Sequence, residues 1–123
     1  MLRFGELEAA IMRAVWAADT PVRVRDVLEN LQQERDIAFT SVQTVMDILY
    51  RKGWLDRVKR GRGYRYWAAA SQEDYATELV EEALEAAPDQ AAVLSRLVAR
   101  LPSEDLAELQ EALEESKQRE GLS

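Results

Sequence analysis

The chain has 123 residues and a formal net charge of −7, from 16 Lys and Arg against 23 Asp and Glu, and it contains neither Cys nor His. The missing Cys rules out disulfides and thiolate metal sites, and the missing His removes the commonest metal ligand and general base. No apolar run approaches the roughly 18 residues of a membrane span, and the opening Met-Leu-Arg-Phe-Gly-Glu lacks the apolar core of a signal peptide, so a cytoplasmic protein is expected.

The charge is unevenly spread. Residues 1–70 hold twelve basic and nine acidic side chains, a net of +3, whereas residues 71–123 hold four and fourteen, a net of −10. Such asymmetry suggests one end that binds a polyanion and a separate acidic end. Thirteen of the sixteen basic residues are Arg. Arg makes the planar forks that suit guanine and phosphate, but a GC-rich genome is the preferred explanation of the bias and also fits the 18 Ala residues.

In chain order, Gly5 to Ala18 reads as a first helix, with Leu7, Ala10, Ile11, Ala14 and Val15 on one face and Glu6 and Glu8 in the first turn. Trp16 lies just off that stripe, as a packing residue would. Asp19-Thr20-Pro21 breaks the helix. A second helix is expected from Val22 to about Glu34, with Val24, Val27, Leu28 and Leu31 inward and Arg23 and Arg25 outward. Asp36 to Phe39 forms the turn into a third helix, Thr40 to Lys52.

The third helix carries two contrasting faces. Val42, Val45, Met46 and Leu49 make an ordinary core stripe. Opposite them lie Thr40, Gln43, Thr44, Asp47 and Arg51. An exposed helix face normally carries Glu and Lys; these are instead side chains whose donors and acceptors reach base edges in the major groove. Asp47 can accept from a cytosine amino group or pair with Arg51 four residues on, and the pairing is preferred.

Gly53 is a natural helix stop. Trp54 to Lys59 and Tyr64 to Ala68 read as two short strands joined by the turn Arg60-Gly61-Arg62-Gly63. From Arg51 to Arg65 there are seven basic residues (Arg51, Lys52, Arg57, Lys59, Arg60, Arg62, Arg65) and one acid, Asp56. Helix, helix, turn, helix and a basic two-stranded loop is the order of a winged helix-turn-helix. A solvated hairpin with charged edges is the plainer reading of the loop alone.

Ser71 followed by Asp74 resembles a capping box and opens a fourth helix to about Ala87, with Tyr75, Leu79, Ala83 and Leu84 apolar. A fifth runs from Gln90 to Leu101, carrying Val93, Leu94, Leu97, Val98 and Leu101. A sixth starts at Pro102-Ser103, carries Leu106, Leu109 and Leu113, and is expected to fray after Lys117. Short isolated helices are marginal in water, and about 50 residues cannot cover these stripes themselves. A second copy of the chain is the simplest cover. The expected fold is therefore mainly α with a small antiparallel β wing: a winged-helix DNA-binding domain over residues 1–70 and a three-helix dimerisation domain over 71–123. The dimerisation residues would be Tyr75, Leu79, Leu94, Leu97, Val98, Leu101, Leu106, Leu109 and Leu113.

No enzyme is expected. Gly61-Arg62-Gly63 lacks the strand–helix setting of a phosphate loop, and the carboxylates lie at helix-surface spacing without a base. No catalytic residue, metal ligand or small-molecule cofactor is assigned, and no polar cluster marks a ligand pocket between the first, fourth and fifth helices. The competing class is a winged-helix protein-interaction adaptor without a specific DNA site, which the acidic net charge favours.

Taken together, Gly5-Glu6-Leu7-Glu8, Ile11-Met12, Val15-Trp16, Val24-Arg25-Asp26-Val27, Thr40-Ser41-Val42-Gln43-Thr44-Val45, Leu49, Lys52-Gly53-Trp54-Leu55 and Gly63-Tyr64-Arg65-Tyr66 resemble the penicillinase-repressor family of winged-helix transcriptional regulators, the BlaI/MecI/CopY type. The similarity covers essentially the whole chain. It implies a homodimeric repressor on a palindromic DNA operator, a target that often includes a β-lactam-resistance operon, and release when a membrane sensor-protease signals and the dimerisation helices are cut. Carried over, base-edge contacts fall to Thr40, Ser41, Gln43 and Thr44, and phosphate contacts to Arg51, Lys52, Arg60, Arg62 and Arg65. The copper-responsive branch carries Cys-x-Cys near its C-terminus; this chain has no Cys, so copper sensing is rejected.

Overall fold

The computed structural model describes residues 4–122. Residues 1–3, on which the signal-peptide reading partly rests, lie outside them. The elements run α1 (Glu6–Ala17), α2 (Val24–Gln32), α3 (Phe39–Arg51), β1 (Leu55–Arg60), β2 (Gly63–Ala68), α4 (Gln72–Ala86), α5 (Gln90–Arg100) and α6 (Ser103–Leu122). By contact density the chain divides into two compact units, 1–80 and 81–123.

In the first unit, α1, α2 and α3 pack together and carry the two-stranded wing. Ile11 and Met12 of α1, Val27 of α2, Val42, Met46 and Leu49 of α3 and Leu55 of β1 are fully buried. These positions follow the helical stripes read from the sequence. Met12 is an addition, and the expected core residues Leu7, Ala14, Val24 and Val45 are only partly buried.

The local chemistry explains where the elements begin and end. At the C-terminus of α3, Gly53 sits at φ 86. Its N–H donates to the Tyr50 carbonyl (3.0 Å), and the Trp54 N–H donates to the Leu49 carbonyl (2.9 Å). That is a Schellman closure, which satisfies two orphan carbonyls and needs a left-handed residue. The wing turns at Gly61, φ 61, with Arg60 paired to Gly63. Positive φ at the first central residue alone is what a type II′ hairpin turn requires.

Several boundaries differ from the sequence reading, most of them by one or two residues. Val22 does not open α2. Its backbone exchanges two hydrogen bonds with Tyr66 (2.9 and 2.8 Å) and adds a bridge to the outer edge of β2. Arg23 takes the helix N-cap position, where the Asp26 carboxylate accepts from its N–H (2.8 Å) and binds its guanidinium (2.7 Å). Helix α6 does not fray after Lys117 but continues to Leu122. Its last turns carry Lys117 and Arg119, which suit the negative end of the helix dipole. The first compact unit extends into α4, to residue 80. The cause is an aromatic cluster. Tyr75 stacks on Phe4 (centroids 4.2 Å apart) and meets Trp54 edge-on (5.2 Å). The Tyr75 hydroxyl accepts from the Phe4 N–H (3.0 Å), and the Trp16 indole donates to the Ala70 carbonyl (3.0 Å). Such packing ties the start of α4 to the winged helix.

In the second unit, no described residue is buried. Helices α5 and α6 make at most slight contact with each other. Val93, Leu94, Leu97 and Val98 form an uncovered stripe along α5, with Leu97 46% exposed.

A carboxylate links the start of α1 to the end of α3. Glu8 accepts from the Gly5 N–H (3.1 Å) and from Lys52 Nζ (3.1 Å). Partial burial works against its charge, but the backbone hydrogen bond and Lys52 outweigh it and hold its pKa below the ordinary 4.5. A depressed carboxylate stabilises the fold above its unfolded pKa, and that contribution is lost as pH falls through the folded value. Glu8→Gln is therefore expected to cost about 1 kcal/mol at pH 7 and nothing once the pH is well below the folded pKa. Urea unfolding of both proteins at pH 7 and pH 2.5 checks this; an equal gap at both pH values would contradict it.

Candidate nucleic-acid interface

The exposed side of α3 and the wing define one surface of the first unit. Thr40, Ser41, Gln43 and Thr44 are all exposed. None of their side chains takes part in any described intramolecular hydrogen bond, so every donor and acceptor they carry is open to an outside partner. The helix axis fixes their spacing, since residues three and four apart share a face.

Beside them lies a cleft of about 450 Å³, bounded by the starts of α2 and α3 and by β2. Phe39, Gln43 and Tyr64 form part of its wall, and Arg25, Arg62 and Arg65 bring positive charge to it. The sequence-predicted base reader Gln43 and two sequence-predicted phosphate residues thus meet at one place. Arg60 and Arg62 are exposed and make no ion pair among the described residues. Arg65 is half-buried and lies close enough to Asp26 to help lower that carboxylate's pKa, after the larger effect of Arg23.

The other two phosphate candidates have partners. Arg51 Nε binds Asp47 Oδ2 (3.0 Å), the pairing preferred from sequence, yet the Arg51 side chain stays 76% exposed. Lys52 is engaged by Glu8 but half exposed. Asp47 is more heavily used than expected: its other oxygen accepts from Arg57 Nη1 (2.8 Å). With both oxygens bound to guanidinium groups, Asp47 serves the protein rather than a base.

Arg57, which the sequence reading only counted among the seven basic residues between Arg51 and Arg65, has a place of its own in the structure. Its side chain is only 18% exposed. The guanidinium lies between the rings of Tyr50 (3.9 Å to centroid) and Tyr64 (4.0 Å) and donates to the Tyr66 hydroxyl (3.3 Å). Burial opposes its charge, but the hydrogen bonds to Asp47 and Tyr66 raise its pKa above the ordinary arginine value. A signal was available. Strand side chains alternate between faces, so Arg57 shares the inward face with buried Leu55, opposite Tyr66 in the ladder.

The predicted dimerisation residues are distributed between the units. Tyr75 is engaged in the aromatic cluster, and Leu79 lines a groove of about 230 Å³ beside it. Leu94, Leu97 and Val98 lie exposed on α5. Leu101, Leu106 and Leu109 are half-buried, and Leu113 is exposed on α6. Among the described residues no group of His, Cys, Asp and Glu is arranged to hold a metal ion, and no helix is long and apolar enough to cross a membrane.

A three-helix core with a basic β wing and an open polar face on its third helix is the construction of a winged-helix transcriptional regulator. Comparison with known proteins gives the same class. Residues 4–115 match the penicillinase repressor family model. The transcriptional regulator BlaI of Mycobacterium tuberculosis is 32% identical over 118 residues, covering 94% of this chain and 86% of that protein. The solution structure of the DNA-binding domain of the repressor BlaI shares the fold, at 23% identity and a TM-score of 0.53, over 59% of this chain and 88% of that one. The monomeric form of Bacillus licheniformis BlaI, solved in complex with the blaP half-operator, matches over the same shares at 23% identity and a TM-score of 0.50. The chain belongs to the penicillinase repressor family, as a BlaI-like transcriptional repressor with a DNA-binding winged-helix fold.

Proposed function

We propose that the protein is a homodimeric bacterial repressor that holds a palindromic operator. In this reading α3 lies in the major groove and Thr40, Ser41, Gln43 and Thr44 meet base edges, while Arg51, Lys52, Arg60, Arg62 and Arg65 meet phosphates. The observation that carries the reading is the set of exposed side chains Thr40, Ser41, Gln43 and Thr44 on α3, none with a described hydrogen bond, beside an arginine-lined cleft. The half-operator bound by the B. licheniformis relative supports the choice of ligand. The uncovered leucine stripe of α5 supports a second copy as partner. Pairing through α4, α5 and α6 would set two α3 helices about one DNA turn apart, near 34 Å.

The regulon is read from the family: a β-lactam-resistance or cell-envelope operon. Release is by proteolysis in the dimerisation helices after a membrane sensor-protease signals. Repression in the cytoplasm needs no cofactor in this scheme.

Fluorescence anisotropy tests the core of the proposal, with the duplex upstream of the gene set against a scrambled duplex over a salt series. A preference of about a thousandfold or more is expected. Equal weak binding to both duplexes would mean either a distant operator or the adaptor reading, for which the acidic net charge speaks. Replacing Arg60 and Arg62 by Ala is expected to weaken binding to both duplexes alike. It should also flatten the slope of log K against log salt by roughly one per lost phosphate contact. A slope identical to the parent's would remove the wing from the contact surface.

A further inference from the structure

We propose that Arg57 is the positioning residue of this interface, fixing the wing against α3 and thereby the distance between base-reading and phosphate-contacting side chains. This rests on the DNA-binding reading above, and it assigns a role to a residue that touches no DNA in that reading. Arg57 stands on β1. Two of its contacts belong to α3, the Asp47 carboxylate and the Tyr50 ring, and two belong to β2, the Tyr64 ring and the Tyr66 hydroxyl. A single guanidinium therefore joins all three elements that build the interface.

The chemistry suits alignment more than adhesion. An apolar side chain here would fill space but tolerate sliding. A planar guanidinium held between two rings and hydrogen-bonded at its edge accepts little rotation or shift. Low exposure strengthens each of these contacts relative to a surface pair. The same bond neutralises Asp47, whose partner Arg51 remains open to solvent. Loss of Arg57 would loosen the wing and also leave a carboxylate less compensated on the face turned toward phosphates.

Arg57→Lys and Arg57→Met are compared with the parent, together with Asp47→Asn and the Asp47→Asn/Arg57→Met double variant. Three quantities are read: affinity for the upstream and scrambled duplexes across the salt series, hydrogen exchange of the amides of residues 55–68, and thermal midpoint. Arg57→Lys keeps the charge but not the fork or the stacking, so operator affinity is expected to fall by about tenfold or more. The salt slope should stay that of the parent, because no phosphate contact is lost, and wing exchange should accelerate. The double variant should lose little beyond Arg57→Met alone, since both break one link.

A salt slope reduced by about one, with equal weakening on both duplexes, would make Arg57 a phosphate contact and overturn the proposal. Parental affinity and parental wing exchange in Arg57→Lys and Arg57→Met would overturn it as well. If the parent itself shows no preference between duplexes, either the operator is distant or the repressor reading fails. Wing exchange then decides alone: unchanged protection in Arg57→Met overturns the positioning role, and accelerated exchange upholds it as a property of the fold.

Discussion

Gln43→Ala with Thr44→Ala is expected to reduce operator preference to within about tenfold of general DNA affinity, while binding to scrambled duplex stays near the parent level. The argument is one of free donors. Neither side chain makes a described hydrogen bond within the chain, and both are exposed, so removing them leaves nothing unpaired in the unbound protein. Ala is also the better helix former, by up to about 0.7 kcal/mol per residue, so the thermal midpoint should hold or rise. Each well-placed base-edge contact discriminates by about 1–3 kcal/mol. Two symmetric half-sites would double the loss. Anisotropy on both duplexes reads the ratio. A double variant that still chose the operator like the parent would move base recognition elsewhere on α3, with Thr40 and Ser41 next to be tested.

The second large effect is expected from Leu97→Glu. Leu97 lies in the middle of the α5 stripe, and nothing in the second unit covers it. In a monomer a glutamate there is an ordinary surface residue. In a dimer that buries the stripe it becomes a buried charge, and an uncompensated buried charge costs about 3–5 kcal/mol. Sedimentation should therefore shift from dimer to monomer. Affinity for a full palindrome should drop by about a hundredfold or more as the second half-site loses its tethered advantage. Affinity for a single half-site should not change. That last measurement separates a lost dimer from a damaged reading head. A variant that still sedimented as a dimer would place the contact on another face.

The three core helices and both strands were legible because their signals are local. Val42, Met46 and Leu49 announce a helix by spacing, and Gly53 announces its end by the backbone conformation that it permits. The exposed polar side of α3 was legible for the same reason: it is what remains once the core stripe is removed. What escaped depended on partners far away in sequence. Val22 resembles the first apolar residue of a helix until Tyr66, 44 positions on, offers it a backbone pairing. Tyr75 reads as part of a leucine-rich stripe, and only the arrival of Phe4 and Trp54 makes it part of an aromatic cluster in the first unit. Arg57 was hidden by its company. Within a run of basic residues it was only one charge in a count, and its strand parity, which places it beside Leu55, was not read. The end of α6 was missed because a field of Glu and Gln lacks any apolar rhythm, although such residues are good helix formers.

Among the described residues of the first unit, the core has no buried side chain that needs a specific polar mate apart from the Tyr66 hydroxyl, which Arg57 serves. Apolar interiors tolerate exchange among residues of similar volume, each change costing little and requiring no simultaneous change elsewhere. Lineages sharing this architecture can thus drift one position at a time without crossing an unstable intermediate. The fold persists in a relative only 23% identical to this chain. The exposed surface of α3 is free to follow a different schedule, so its side chains can change on an old scaffold without renegotiating the interior.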